Sequence, residues 1–403
     1  MGRKSLSDVY LLDLYSGEKK LILERFADKI YLSPFENYIL YYLSDDSAWY
    51  SYSISEQNKT CLTCENRMTF VDHNHDLPKP ANAYGFAGWY NEGRYALING
   101  RYDIWRFDMN TEQKQDVITD NNGKNNQVTY RIIYTDKDER CFAKNREVLL
   151  YGTNENTKDK GIYALNLKKA ASPQPLHTGS FNVFYLKKAK NEKSYLWQQG
   201  TFKEYPDLYW ADATFSSIKK LTTVNEIQKE YLWGSVTMVE WADSNDRPYK
   251  GLLYLPEDFD PTRRYPMIVY FYAKHTDEYH YYHGFSPSRS VINIPFYLSN
   301  GYIIFSPDIH YSTGHPGDDA LQTVVSGTKY LISQGFVDEQ HIGLQGQSWG
   351  GYQIAYIVTR TSMFAAAMAG APVSNMTSAY GGIRWESGMS RMFQYEKGQS
   401  RIG

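Results

Sequence analysis

Cysteine is scarce: there are three among 403 residues, too few for a disulfide framework. Cys61 and Cys64 form one C-x-x-C, and Cys141 stands far from them. A zinc site would want a fourth ligand and usually a second pair, and a redox motif would want a βαβ setting that is absent here. Two ordinary thiols near a strand end, or a local disulfide, are the readings left for the pair. Charge of one sign is lacking too. Against 45 acidic residues stand 43 basic ones, a net of -2. That excludes the electrostatic footprint of a nucleic-acid binder and a polybasic membrane patch. No apolar run approaches the roughly 20 residues of a membrane span. The opening "MGRKSLSDVYLLDLYSG" turns strand-like with no apolar core before it, so it is not a signal peptide.

Length and aromatics are plentiful. A chain of 403 residues exceeds one ordinary core, so two domains are expected. Aromatics make up 16% of it, 37 of them tyrosine, and tyrosine suits half-buried pleated surfaces. Residues 1–228 repeat loosely. "DVYLLDLYSGEKKLI" from Asp8, "SAWYSYSISEQNKTCLT" from Ser47, "YDIWRFDMNTEQKQDVIT" from Tyr102, "GIYALNLKKAASPQPLH" from Gly161 and "DLYWADATFSSIKKLTT" from Asp207 share one grammar. Each is an alternating strand, a polar turn and a second short strand. Units of this kind at roughly 40 to 60 residues predict a partial β-propeller of about four blades. The first phrase reads as the end of an earlier blade.

From residue 229 to 403 the grammar changes. "PMIVYFY" is continuously apolar, as for a strand buried on both faces. "GYIIFSPD" is another strand, "DDALQTVVSGTKYLISQGF" carries a helical stripe, "HIGLQG" is a short strand, and "GGYQIAYIVTRTSMF" is a helix. "AAAMAGAPVS" follows as a buried strand. Strand and helix in alternation predict an α/β domain with a parallel sheet.

At the last strand-to-helix junction lies "LQGQSWGGYQ", a G-x-S-x-G around Ser348. Such a triple arises by chance in roughly one chain of this length in seven, so context decides. Here the context is the one a nucleophile elbow requires. A tight turn lifts the hydroxyl off the sheet, Gly346 and Gly350 avoid collision, and the Trp349 N–H opens the helix, where an oxyanion can be stabilised.

"GFVDEQHIGLQGQSWGGYQ" followed by "GAPVSN" resembles the prolyl oligopeptidase family of serine peptidases, nearest the branch of dipeptidyl peptidase IV and acylaminoacyl peptidase. The resemblance implies a β-propeller followed by an α/β-hydrolase domain. It implies a serine peptidase that hydrolyses oligopeptides through an acyl-enzyme on Ser348, with no cofactor. "RYPMIVYFYAKH" is similar to the strand that carries the family's Y-x-G motif, which passes the second oxyanion donor to Tyr272; Lys274 stands where that motif has glycine. By the same alignment Val373, Met376 and Ile383 line the pocket for the residue before the scissile bond. "DIHYSTGHPG" from Asp308 replaces the family's D-x-R-G-x-G. No Glu-Glu pair, the amine anchor of dipeptide-trimming relatives, occurs. Long members of this type are often exported, and an oligomer is open to the full-length parent.

In α/β-hydrolases the acid and the histidine follow the serine along the chain. After Ser348 there is neither histidine nor aspartate, only Glu386 and Glu396. The expectation is a fragment truncated at both ends and inactive alone, with the triad Asp and His in a C-terminal segment beyond Gly403. The alternatives are a propeller with a dead hydrolase domain that binds a protein or glycan, or a carboxylesterase on the same fold. His275, His280, His283, His310 and His315 sit on two loops. With no H-E-x-x-H helix they read as polar loop residues near the hydrolase mouth rather than a metal site.

Overall fold

The computed structural model describes residues 6–77, 79–110, 115–285, 291–392 and 394–395. Up to residue 220 they form antiparallel sheets. Ser7–Leu12 and Lys19–Phe26 make a two-stranded ribbon. Ile30–Leu32, Tyr38–Leu43, Ala48–Ser53 and Lys59–Cys61 form a four-stranded sheet in sequence order. The next sheet runs from Phe86–Tyr90 through Gln115–Val117, with Cys141–Phe142 added parallel to its first strand. Two more four-stranded sheets start at Val128–Ile133 and Asn182–Lys188. The first quoted repeat falls on the two-stranded ribbon, and each of the other four covers an inner strand and the edge strand beside it, as Ala48–Ser53 pairs with Lys59–Cys61. Cys61 and Cys64 are joined by a disulfide, the local-disulfide reading of the pair. Cys141 is free and half-buried.

The strand grammar switches between Ile218–Lys220 and a six-stranded mixed sheet. Its strands are β1 (Ser235–Ala242), β2 (Pro248–Leu255), β3 (Tyr265–Tyr270), β4 (Ile303–Pro307), β5 (Val337–Gln347) and β6 (Ala366–Gly370). They lie in the order β1-β2-β4-β3-β5-β6. The β1, β2 and β4 contacts are antiparallel, and those from β4 through β3 and β5 to β6 are parallel. Helices α1 (Ile294–Ser299), α2 (Pro316–Ser333) and α3 (Trp349–Val358) connect them.

The apolar run in β3 works as its composition requires. Met267, Val269 and Phe271 join one core with Phe305 of β4, while Ile268 and Tyr270 join another with Ile304. Successive side chains point to opposite faces, so a strand covered on both sides has no polar position. α2 buries Ala320, Val324, Gly327 and Leu331 on the first face, a spacing of three and four residues. Glycine at 327 has a steric reason. A Cβ there would sit 2.8 Å from the rings of Phe305 and Trp241, so only glycine lets helix and sheet approach this closely. "AAAMAGAPVS" does form β6, but not as a buried strand. Ala366 and Ala367 are exposed and Met368 is half exposed, because β6 pairs with β5 alone and forms the sheet edge among the described residues.

Two compact units emerge. One comprises the described residues among Met1–Gly152, Tyr163–Gln174 and Tyr380–Ser400; the other comprises Thr153–Ile162 and Pro175–Ala379. The second holds the whole mixed sheet and the sheet that starts at Asn182. No helix among the described residues is long and apolar enough to cross a membrane.

Phe305 is fully buried and meets Trp241 edge-on at 5.4 Å. Phe305→Ala should therefore lower unfolding stability by about 3–5 kcal/mol, read as a reduced urea midpoint by tryptophan fluorescence. A loss below about 1 kcal/mol would mean that this face is not the core it is described as.

Candidate active site

Ser348 sits where β5 ends and α3 begins, with φ 56° and ψ -107°. A left-handed conformation at a residue with a Cβ costs on the order of 1–3 kcal/mol and persists only when neighbours over-determine it. The neighbours are explicit. The Ser348 N–H donates to the Gly370 carbonyl of β6 at 2.8 Å, and the Tyr352 N–H of α3 donates to the Ser348 carbonyl at 2.9 Å. A Cβ at Gly346 would lie 2.9 Å from the Phe271 carbonyl, and one at Gly350 would lie 2.5 Å from the same oxygen. The glycines two positions either side of the serine thus let the ends of β3 and β5 and the start of α3 converge on one carbonyl.

Tyr272 lies two residues beyond β3 and is 38% exposed. Its backbone is fixed to α3. Gln353, fully buried, donates from Nε2 to the Tyr272 carbonyl at 2.8 Å and to the Trp349 carbonyl at 3.2 Å. The Tyr311 hydroxyl lies 2.8 Å from the same Tyr272 carbonyl and 3.2 Å from Gln353 Oε1. The Trp349 indole is buried, stacked on Tyr352 at 4.9 Å and edge-on to Tyr311 at 5.9 Å. The Trp349 amide, as the first of a helix, has no intrahelical acceptor.

The loop after Tyr272 is braced from β4. Asp308, fully buried, accepts from the His275 N–H at 2.6 Å, the Thr276 N–H at 2.9 Å and the Thr276 hydroxyl at 2.5 Å. Ile309 N–H reaches the Ala273 carbonyl at 2.7 Å. Lys274 pairs with Asp277 at 3.0 Å, and Asp277 also takes Lys158 at 2.8 Å. Asp308, Tyr311 and Gln353 were not singled out from sequence. Asp308 had a usable signal, since a carboxylate at the C-terminal end of a buried strand lies where open α/β sheets gather their sites. Gln353 had none, because a glutamine in a helix reads as solvent-facing.

Val373 and Met376 are half-buried beyond β6, and Met376 packs on the core beneath α3. Ile383 belongs to the other compact unit, is 48% exposed and bridges to Ser390. Glu386 is exposed in that same unit, and Glu396 lies outside the described residues. No hydrogen bond of the Ser348 hydroxyl occurs among the described residues.

The histidines are engaged elsewhere. His280 meets Asp159 at 3.1 Å, and His275 Nδ1 lies 3.5 Å from Glu278. His283 packs between Phe202 and Tyr254, while His315 approaches Asp318 at 3.6 Å and His310 is exposed. Among the described residues no three of His, Cys, Asp and Glu are placed to share a metal ion. Burial holds both His280 and His283 below the ordinary imidazole pKa, opposed at His280 by Asp159 and at His283 by Glu278.

The prolyl oligopeptidase family profile matches residues 289–399. Dipeptidyl peptidase 8 of Mus musculus is 27% identical over 147 residues, 31% of this chain and 15% of that protein. Dipeptidyl-peptidase 5 of Porphyromonas gingivalis is 22% identical over 243 residues, 55% of this chain and 35% of that protein. The chain thus spans about a third or less of these relatives' lengths. The crystal structure of Porphyromonas gingivalis dipeptidyl peptidase 4 superposes with a TM-score of 0.61 at 14% identity, covering 91% of this chain and 52% of that one. Its likeness is one of fold.

Two outcomes follow from the bracing. Asp308→Ala leaves three donors facing a void and should cost roughly 3 kcal/mol. Hydrogen exchange should quicken at the His275 and Thr276 amides while the Phe271 amide, bonded within the sheet, keeps its protection; unchanged exchange at 275 and 276 would refute the brace. The second concerns pH. With folded imidazole pKa values below the unfolded one, the folded state binds fewer protons. Stability is then full above about pH 6.5 and falls as acid protonates the unfolded chain first. The melting temperature should drop between about pH 7 and pH 5, less steeply in His283→Phe, which keeps the aromatic packing. An equal slope in the variant would contradict the burial argument.

Proposed function

Starting from a chain whose residues 289–399 belong to the prolyl oligopeptidase family, we propose that it is the working region of a serine peptidase acting on peptides, with Ser348 as nucleophile. The observation that carries this is the elbow, a serine held at positive φ between a parallel strand and a helix N-terminus. The Ser348 hydroxyl attacks the carbonyl carbon of the scissile bond as its proton passes to a base. The oxyanion so formed accepts hydrogen bonds from the Trp349 N–H and the Tyr272 hydroxyl. Collapse expels the amine with a proton and leaves an acyl-enzyme on Ser348, which water hydrolyses. Val373 and Met376 receive the residue before the scissile bond. No cofactor takes part.

The antiparallel meanders are propeller blades in this reading, and they screen substrates by size. The alignment of 91% of the chain with a dipeptidyl peptidase structure supports that assignment. The relatives' names support a peptidase of short peptides.

A specific observation favours a second reading. None of the histidines among the described residues hydrogen-bonds Ser348, and a serine without a base is a weak nucleophile. A propeller joined to an inert hydrolase domain would then present loops to a partner.

One measurement separates them. The full-length gene product should release aminomethylcoumarin from a dipeptidyl substrate, and Ser348→Ala should lose at least about 10³-fold in kcat. Retained activity in the variant would remove Ser348 from the mechanism; an inert parent protein would put the binding reading first.

A further inference from the structure

A cavity of about 430 Å³ lies in the second unit, lined by Tyr272 and by Gln347, the residue before Ser348. It is not the pocket assigned to Val373 and Met376. Sheet order separates the two. β5, which ends at Ser348, lies between β3 and β6. The cavity follows the β3 side, and Val373 and Met376 follow the β6 side. A peptide whose acyl part turns toward β6 has its departing part on the side of β3.

The lining is polar in an unbalanced way. The Ser306 hydroxyl is 1% exposed and has no hydrogen-bond partner. His275 Nε2 and His283 Nε2 are buried and likewise unpartnered. In a neutral imidazole one nitrogen carries the proton and the other a lone pair. With His275 Nδ1 turned toward Glu278 at 3.5 Å, Nε2 offers the lone pair to the cavity. Lys274 is held by Asp277 at 3.0 Å, a carboxylate that also takes Lys158 at 2.8 Å. Glu278 faces the His275 imidazole at 3.5 Å and interacts with that of His283, and no lysine or arginine pairs with it among the described residues. Acceptors and one carboxylate therefore face the space, and Val291 and Ile294 add apolar wall that suits a methylene stem.

We propose that this cavity binds the basic side chain, lysine or arginine, of the residue on the leaving-group side of the scissile bond. The cation pairs with Glu278, and its remaining N–H groups are accepted by His275 Nε2 and the Ser306 hydroxyl. Its place on the leaving-group side rests on the peptidase reading; the binding itself does not.

Arginine amide and norleucine amide share their backbone and aliphatic stem and differ in charge. Calorimetric titration of the protein should show saturable binding of arginine amide, with norleucine amide at least tenfold weaker. Glu278→Gln, at a partly exposed position, should weaken arginine amide at least tenfold, and Ser306→Ala should weaken it several-fold. Equal binding of the two amides, no binding of either, or an unaltered affinity in Glu278→Gln overturns the proposal. Labelling of Ser348 by a fluorophosphonate probe in the full-length gene product, run in parallel, keeps the two inferences apart. Arginine amide bound with Ser348 unlabelled upholds the cavity and sinks the peptidase. Ser348 labelled with no arginine amide bound sinks the cavity alone.

Discussion

The Phe271 carbonyl is the point on which the site depends. Gly346 before the serine and Gly350 after it both pass so close to this oxygen that neither tolerates a Cβ. The positive φ at Ser348 is a consequence of that convergence rather than a local preference. Nothing in the turn itself would hold it. The strain is carried by the buried alternation of β3, by the pairing of β5 with β3 and β6, and by the seat of α3 on the core of Phe305 and Val324. A loop could not supply the same rigidity, because its hydrogen bonds would be free to exchange with water.

Around that point the polar groups form one connected brace. Gln353 ties α3 to the Tyr272 carbonyl, and Tyr311 touches both. Asp308 ties the end of β4 to residues 275 and 276. Buried polar groups are costly unless satisfied, so these contacts specify one arrangement of the loop instead of merely tolerating it. They also answer the two departures from the family pattern. Lys274, where the pattern has glycine, pairs with Asp277 at 3.0 Å. The stretch from Asp308 that replaces D-x-R-G-x-G supplies Asp308 and Tyr311 to the brace.

Legibility followed the physics of each signal. β3 and β4 could be read because a run such as "PMIVYFY" is stable only with both faces covered, and the elbow could be read because its glycines fall between a strand and a helix. β6 was recognised as a strand but not as an exposed one, because composition cannot say whether a neighbour will sit beside an edge. Gln353 could not be found, since its value lies in a partner, the Tyr272 carbonyl, 81 positions earlier in the chain. Ile383 shows the converse: alignment placed it with Val373 and Met376, while compactness assigns it to the other unit. The paired cysteines left two readings open, and only geometry chose the disulfide.

The strand order explains how the proposed site can vary while Ser348 keeps its geometry. The elbow is built from backbone and glycine, so its geometry does not depend on the side chains that recognise a substrate. Those side chains come from separate strands. Val373 and Met376 follow β6, while Glu278, His275 and Ser306 belong to β4 and the loop after β3. In this reading a change at Glu278 alters what the β3 side accepts and leaves the Gly370 contact to Ser348 untouched; a change at Met376 alters the β6 side instead. Asp308 is the exception. It carries both the loop that bears His275 and the strand that bears Ser306, so it couples recognition to the frame. The β3 side should therefore be the harder of the two walls to redesign.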